Sequence, residues 1–456
     1  MRQLLLLLSP LVHPPSLAQE PALAIRNITV ITAPAPALHG ATLLIRGRTI
    51  QAVGPSARVA IPRGSRIIDG QGKYLIPGLI DTHVHIASEV GKPTMDLALA
   101  LELAHGVTGI RDASGIGRER ELVALRGQID SGTILAPRLY VSGSATPQNV
   151  PRYQAAGLND LVRRLAAVGV DGLKLRNLTE VQADTVIVAA RAVGLPAFGH
   201  TYSHADSAWD FTVHAVERGA SGVMHATGIG PATRRVPREL AATGWERSWL
   251  GMYLQWIDAT EAEEERLLKA LLANHTWLEP TFTADAFSLY DEWYRGRPEA
   301  RFLWWSSYDS TRAGWPAFSA GDLALARQGF KRMQRFVRRF QESGGIVLAG
   351  TDMSPWPGEG IHEELRLLVL AGLSPMAALQ AATRNAARAL GWEGKTGTIA
   401  VGLDADLVIL DADPLQDITN TSKIWKVIRA GQVLDRSTLD SMLSRPELRR
   451  AGERTP

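Results

Sequence analysis

Pro77-Gly78-Leu79-Ile80-Asp81-Thr82-His83-Val84-His85 reads as an apolar strand that ends in two histidines separated by one residue. In an extended chain the side chains at i and i+2 point to the same side, so His83 and His85 present their imidazoles together. Two neutral imidazoles at that spacing suit one divalent metal ion. A His-x-His pair also occurs in surface loops and core strands. Its position here, after an apolar strand opened by Pro-Gly, is what gives it weight.

Outward from this stretch the chain alternates apolar strand, loop and helix. The strand candidates are Leu75 to Ile80, Val107 to Arg111, Arg138 to Val141, Gly172 to Leu175, Pro196 to Gly199, Gly222 to Met224, Trp277 to Thr281 and Ile346 to Ala349. Gly106, Gly169, Gly194, Gly219 and Gly344 stand one to three residues before strands, where a glycine ends a helix in the left-handed conformation. Eight βα units predict a parallel (β/α)8 TIM barrel over residues 75–390. A doubly wound open sheet is the rival, but it leaves unexplained why candidate ligands follow so many strand ends.

Residues 22–74 have a different texture, of short strands broken by glycines, and it returns in 391–435 at Gly397 to Ala400, Ala405 to Leu410 and Ile424 to Ala430. The two pieces together predict a small discontinuous β-sandwich domain, with 436–456 a polar C-terminal tail. Residues 1–18 read as a signal peptide: Arg2, an apolar run from Leu4 to Val12 interrupted by Pro10, and Ser16-Leu17-Ala18 before Gln19. Periplasmic or secreted localisation is the expectation. The interval 228–340 exceeds one βα unit, and it or its approach carries Trp209, Trp245, Trp249, Trp256, Trp277, Trp293, Trp304, Trp305 and Trp315. Such an insertion could cap the barrel mouth, although most tryptophans pack in cores or domain contacts.

Composition narrows the chemistry. With no cysteine, thiol nucleophiles, thiolate ligands and disulfides are excluded, which leaves His, carboxylate or modified Lys to bind a transition metal. A net charge of +3 spread over 456 residues does not make a nucleic-acid surface, and no apolar run is long enough to span a membrane.

Later strands carry further candidates. Lys174 stands in Gly172-Leu173-Lys174-Leu175, where an unpaired ammonium is costly. His200 closes Pro196 to Gly199, His225 closes Gly222 to Met224, and Asp352 follows Ile346 to Thr351. In a barrel all of these gather with His83 and His85 at the C-terminal mouth. Taken singly, the two histidines also fit satisfied interior residues, Asp352 a helix cap, and Lys174 a Schiff-base lysine. A Schiff-base enzyme has no need of four histidines around it.

The set resembles the amidohydrolase superfamily, in its imidazolonepropionase-like and Xaa-Pro-dipeptidase-like branch, from about Ala24 to Leu434. The residues that carry the likeness are Pro77 to His85, Gly106-Val107-Thr108-Gly109-Ile110-Arg111-Asp112, Lys174, His200, His225, Gly350-Thr351-Asp352, and Gly402 to Leu410. The resemblance implies two divalent metal ions, usually zinc: His83, His85 and Asp352 on one, His200 and His225 on the other, and carboxylated Lys174 bridging both. It implies hydrolysis of an amide or peptide bond by a metal-bridged hydroxide, with Asp352 as the catalytic proton carrier. Without Lys174 a single-metal, deaminase-like site would be the expectation.

Arg176 and Tyr202 each stand two residues beyond a ligand, and if the alternation continues both point into the mouth; His-x-Tyr resembles the dipeptidase branch, where such a tyrosine helps hold a substrate carboxylate. His362, in Gly360-Ile361-His362-Glu363-Glu364-Leu365, resembles a recurrent family element after the last strand and is expected to support the ligands from behind. The expected partner is a small-molecule amide or peptide, a dipeptide or N-acyl amino acid, with self-association into a homo-oligomer left open. Two alternatives stand: the same fold acting on cyclic amides, lactones, carbamates or phosphoesters, and a non-catalytic binding relative.

Overall fold

The computed structural model describes residues 21–87, 94–115, 117–145, 155–176, 178–201, 211–229, 245–297, 319–352 and 356–444. The flanking segments supply strands β1 (Leu23–Val30), β2 (Leu38–Arg46), β3 (Thr49–Pro55), β4 (Arg66–Asp69) and β5 (Tyr74–Pro77). The barrel strands are β6 (Leu79–Val84), β7 (Val107–Asp112), β8 (Arg138–Ala145), β9 (Gly172–Leu175), β10 (Ala197–Gly199), β11 (Gly222–Met224) and β12 (Trp277–Glu279). The chain then returns to the first sheet as β13 (Leu407–Leu410), β14 (Ile424–Arg429) and β15 (Gln432–Leu434).

The seven barrel strands are parallel neighbours in sequence order. The expected eighth, Ile346 to Ala349, forms a single bridge between Val347 and Leu278, and its backbone closes the ring. Leu278 and Leu348 donate to Ile346 and Leu278 on one side, and Thr82 donates to Ala349 on the other. Gly106, Gly169, Gly194, Gly219 and Gly344 all have positive φ, as expected of helix ends. Ile80, Tyr140, Phe198, Met224, Trp277 and Leu348 fill the barrel interior, and a larger apolar layer lies between strands and helices.

Four expectations are refined. Leu75 to Ile80 is not one strand: β5 pairs antiparallel with β13, whereas β6 pairs parallel with β7. The break falls at Gly78, where an added Cβ would lie 2.0 Å from the Thr108 hydroxyl, so only glycine fits. Within the returning segment, Gly397 to Ala400 forms no strand. The flanking strands form one hydrogen-bonded sheet of eight around their own core of Ile25, Leu43, Ile45, Leu407, Ile409 and Ile428. The expected polar tail begins with a helix, Arg436–Leu443, because the Asp435 side chain accepts from Thr438 N at 3.1 Å and Leu439 is buried.

The two sheets meet at the N-terminal end of the barrel strands. Arg138, the first residue of β8, reaches Asp404 at 2.5 Å and Asp406 at 3.3 Å, and Asp406 also accepts from Arg429 at 2.9 Å. Among the described residues no helix is long and apolar enough to cross a membrane.

Candidate metal centre

At the opposite, C-terminal end the structure brings all six sequence candidates together. Asp352 is the hub: its carboxylate lies 3.0 Å from His85 Nε2, 3.4 Å from His83 Nε2 and 3.9 Å from His225 Nε2. Lys174 Nζ lies 3.1 Å from His83 Nε2, and the His200 ring centroid is 4.6 Å from that of His225. His83, His225 and Asp352 each offer one ligand atom, all within 4.8 Å of one another. His225 and Asp352 have φ of 63° and 51°, a left-handed backbone that is rare outside glycine and tends to be kept where a site requires it.

The tautomers are set from behind. His83 Nδ1 meets Glu279 Oε1 at 2.7 Å, and His225 Nδ1 meets Thr281 Oγ1 at 2.8 Å. The Thr281 hydroxyl donates to Pro280 O at 2.7 Å, so it accepts from His225 Nδ1–H. In both rings the Nε2 lone pair is thereby turned toward Asp352, the arrangement that second-layer partners impose on metal-binding histidines.

Electrostatics reinforce this donor character. Burial, with Lys174 nearby, holds His83 and His200 well below the usual imidazole range, and burial pushes His225 down to about 3, so all three rings are neutral. Burial would raise Asp352, but the hydrogen bond from His85, 3.0 Å away, favours its ionised form and its carboxyl lies below its ordinary value. Burial also lowers the Lys174 ammonium to about 8. Among the described residues no carboxylate lies within ion-pair distance of Lys174, and only 2% of its surface is exposed. Four imidazoles, a carboxylate and a buried lysine fit a divalent metal centre.

Sequence reasoning missed the buried pair that supports the site. Arg111 Nη2 donates to Glu279 Oε2 at 2.5 Å and Nε to Thr82 O at 2.6 Å, while the guanidinium lies 4.5 Å from the Phe198 ring and 4.7 Å from that of Trp277. Thr82 also donates to Glu279. Both charges interrupt apolar strands, the signal that singled out Lys174, and the same rule would have found them. Asp81 braces the strand end by accepting from His83 N at 2.9 Å and from the Thr351 hydroxyl at 2.8 Å. Gly350 is the close-packing point, where an added Cβ would lie 2.8 Å from both His83 and Glu279.

The remaining candidates fall elsewhere. Arg176 is half-buried at the end of β9, close enough to depress Lys174 and His200. Tyr202 lies outside the described residues, as do the expected signal segment and Trp209, Trp304, Trp305 and Trp315. His362 has its contacts with Thr421, at 3.0 Å, and with the His105 ring rather than with the six donors. Of the insertion tryptophans, Trp256 and Trp277 are core residues, whereas Trp293 is half exposed between Arg297 and Arg366.

Residues 312–434 match the model of the amidohydrolase family. The chain is 26% identical over 382 residues to adenine deaminase 3 of Rhizobium meliloti, covering 81% of this chain and 51% of that protein, so it spans about half the relative's length. It is 25% identical over 381 residues to the imidazolonepropionase of Sphingopyxis alaskensis, covering 81% and 86%. Among solved structures, a protein of Bifidobacterium longum assigned as a prolidase superposes with a TM-score of 0.66 at 25% identity, over 93% of this chain and 98% of that one.

Proposed function

We propose that this chain, which belongs to the amidohydrolase superfamily, is a metal-dependent hydrolase that cleaves the amide or peptide bond of a small substrate, a dipeptide or an N-acyl amino acid. The observation that carries the reading is the convergence of the His83, His85 and His225 Nε2 atoms on Asp352. His83, His85 and Asp352 would hold one divalent ion, His200 and His225 a second, and Lys174 as its carbamate would bridge them. Such ions supply Lewis acidity toward a carbonyl and lower the pKa of water toward neutrality.

The protein's own groups account for the proton. Asp352, ionised and within reach of the same space as the three imidazoles, accepts a proton from the attacking water and returns it to the departing nitrogen. The products are a carboxylate and an amine. Arg176 offers a two-pronged donor for a substrate carboxylate, and Tyr202 is assigned to the same group on sequence grounds.

Metal-depleted protein should be inactive on a panel of N-acyl amino acids and Xaa-Pro dipeptides and regain turnover with zinc, manganese or cobalt; equal activity with and without metal would overturn the proposal. The second reading keeps the site but assigns cyclic amides, lactones, carbamates or phosphoesters. The relatives named imidazolonepropionase and adenine deaminase favour it, since neither name denotes a dipeptide. Export to the periplasm or beyond is part of the proposal and rests on residues 1–18 alone.

A further inference from the structure

We infer that the Ser144 hydroxyl is the hydrogen-bond donor that orients the carboxylated side chain of Lys174, with Ser142 one step below it on the same strand face. This rests on the carbamate reading above and names the residue that makes the modification specific.

The faces of β8 are fixed by packing. An added Cβ at Gly143 would lie 3.1 Å from Leu165 and 3.2 Å from Leu173, so the odd positions of this strand face the helical layer. The even positions therefore face the barrel interior. Tyr140 shows this directly, its ring centroid 6.2 Å from that of Phe198. In the parallel pairing of β8 with β9, Ser142 stands opposite Gly172 and Ser144 opposite Lys174. Ser144 and Lys174 are thus lateral neighbours on one face, and the lysine's reach to His83 Nε2 confirms that it points inward.

Ser142 and Ser144 are 0% and 1% exposed, and among the described residues neither Oγ has a hydrogen-bond partner. Buried hydroxyls almost always find one, so two orphans side by side on the lysine's face mark a missing acceptor. The nearby Glu279 is committed to Arg111, His83 and Thr82. A carbamate on Lys174 would bring two anionic oxygens to this wall, with more lone pairs than two ions use. The chemistry balances without a redox partner: the neutral amine adds to the carbon of carbon dioxide, an N–C bond forms, one C=O pair moves onto oxygen, and the nitrogen releases a proton to solvent.

The full-length protein, stripped of metal and reloaded with zinc over a range of 13C-bicarbonate concentrations, tests this by the carbamate resonance in 13C NMR and the metal bound per chain. Ser144→Ala should need roughly tenfold more bicarbonate for half its signal, the loss expected of one hydrogen bond to a charged group, while Ser144→Thr should match wild type. A Ser144→Ala protein that carboxylates at the wild-type bicarbonate concentration overturns the role of Ser144 and leaves the carbamate intact. A wild-type protein with no carbamate signal overturns both. Should Ser144→Ala not fold, a structure of the zinc-loaded wild type decides: Ser144 Oγ within hydrogen-bond distance of the carbamate supports the inference, and Oγ turned away from it refutes it.

Discussion

Glu279 Oε1 and His83 Nδ1 lie 2.7 Å apart with both side chains fully buried, and the other oxygen of the same carboxylate receives Arg111. One acid thus fixes the tautomer of a ligand and neutralises a guanidinium inside the barrel. Glu279→Gln should lower metal affinity by about 10–100-fold by loosening His83. It should also destabilise the metal-free protein by about 3–5 kcal/mol, because Arg111 is left buried without a counter-charge. Competition with a chelator and urea unfolding measure the two losses; a variant with wild-type affinity would show that His83 needs no support.

Asp352→Asn separates proton transfer from metal binding. Turnover should fall by about 10²–10⁴-fold, the range for a lost general acid–base group, while most of the metal stays bound. Single-turnover kinetics beside metal analysis would reveal it, and turnover near wild type would remove Asp352 from the chemistry.

The fold was legible because its period was: eight apolar strands at βα spacing, with glycines between helix and strand, admit few architectures. The boundary at Pro77-Gly78 was not, since apolar residues run on both sides of the Pro-Gly pair and nothing in them assigns the two halves to different sheets; only the contact with Thr108 shows why Gly78 stands there. The site was legible wherever a polar residue closed an apolar strand, as at His200, His225 and Asp352. The rule that singled out Lys174, a charge inside an apolar strand, reaches Glu279 and Arg111 one by one, but that they pair across 168 positions is visible only in the fold. The Ser144 environment is likewise a matter of strand register, which sequence leaves open.

His362 should act on stability through pH. Burial, with His105 beside it, pushes its pKa down to about 3, so the folded protein keeps it neutral while the unfolded chain takes up a proton below about 6.5. Stability from this group is therefore complete above pH 6.5 and is lost as pH falls toward 3. Against a His362→Gln variant, wild type should lose about 2 kcal/mol more between pH 6.5 and pH 5. Urea midpoints at the two pH values give the difference, and parallel profiles would mean that the ring is protonated in the fold.

Asp406 tests the other end of the barrel. It accepts from Arg429 and from Ala430 N, at 2.9 and 2.8 Å, and contacts Arg138 where the two domains meet. Asp406→Ala should cost about 3–5 kcal/mol by stranding buried cations, yet leave the metal content per folded chain unchanged. Loss of metal from a still-folded variant would tie this contact to the centre.

Arg176→Gln addresses the substrate. With a carboxylate-bearing substrate KM should rise and kcat change little, because the contact is made equally in the ground state and the transition state. The same variant should be indifferent toward an uncharged amide; equal losses on both substrates would assign Arg176 a different task.

The most direct test of the central claim, that six donors scattered along the chain together hold a pair of divalent ions, is anomalous diffraction at the zinc edge from crystals of the zinc-loaded protein. The account predicts two peaks, one among His83, His85 and Asp352, the other between His200 and His225, with density linking Lys174 to both. A single peak, or none within bonding distance of Asp352, would contradict it.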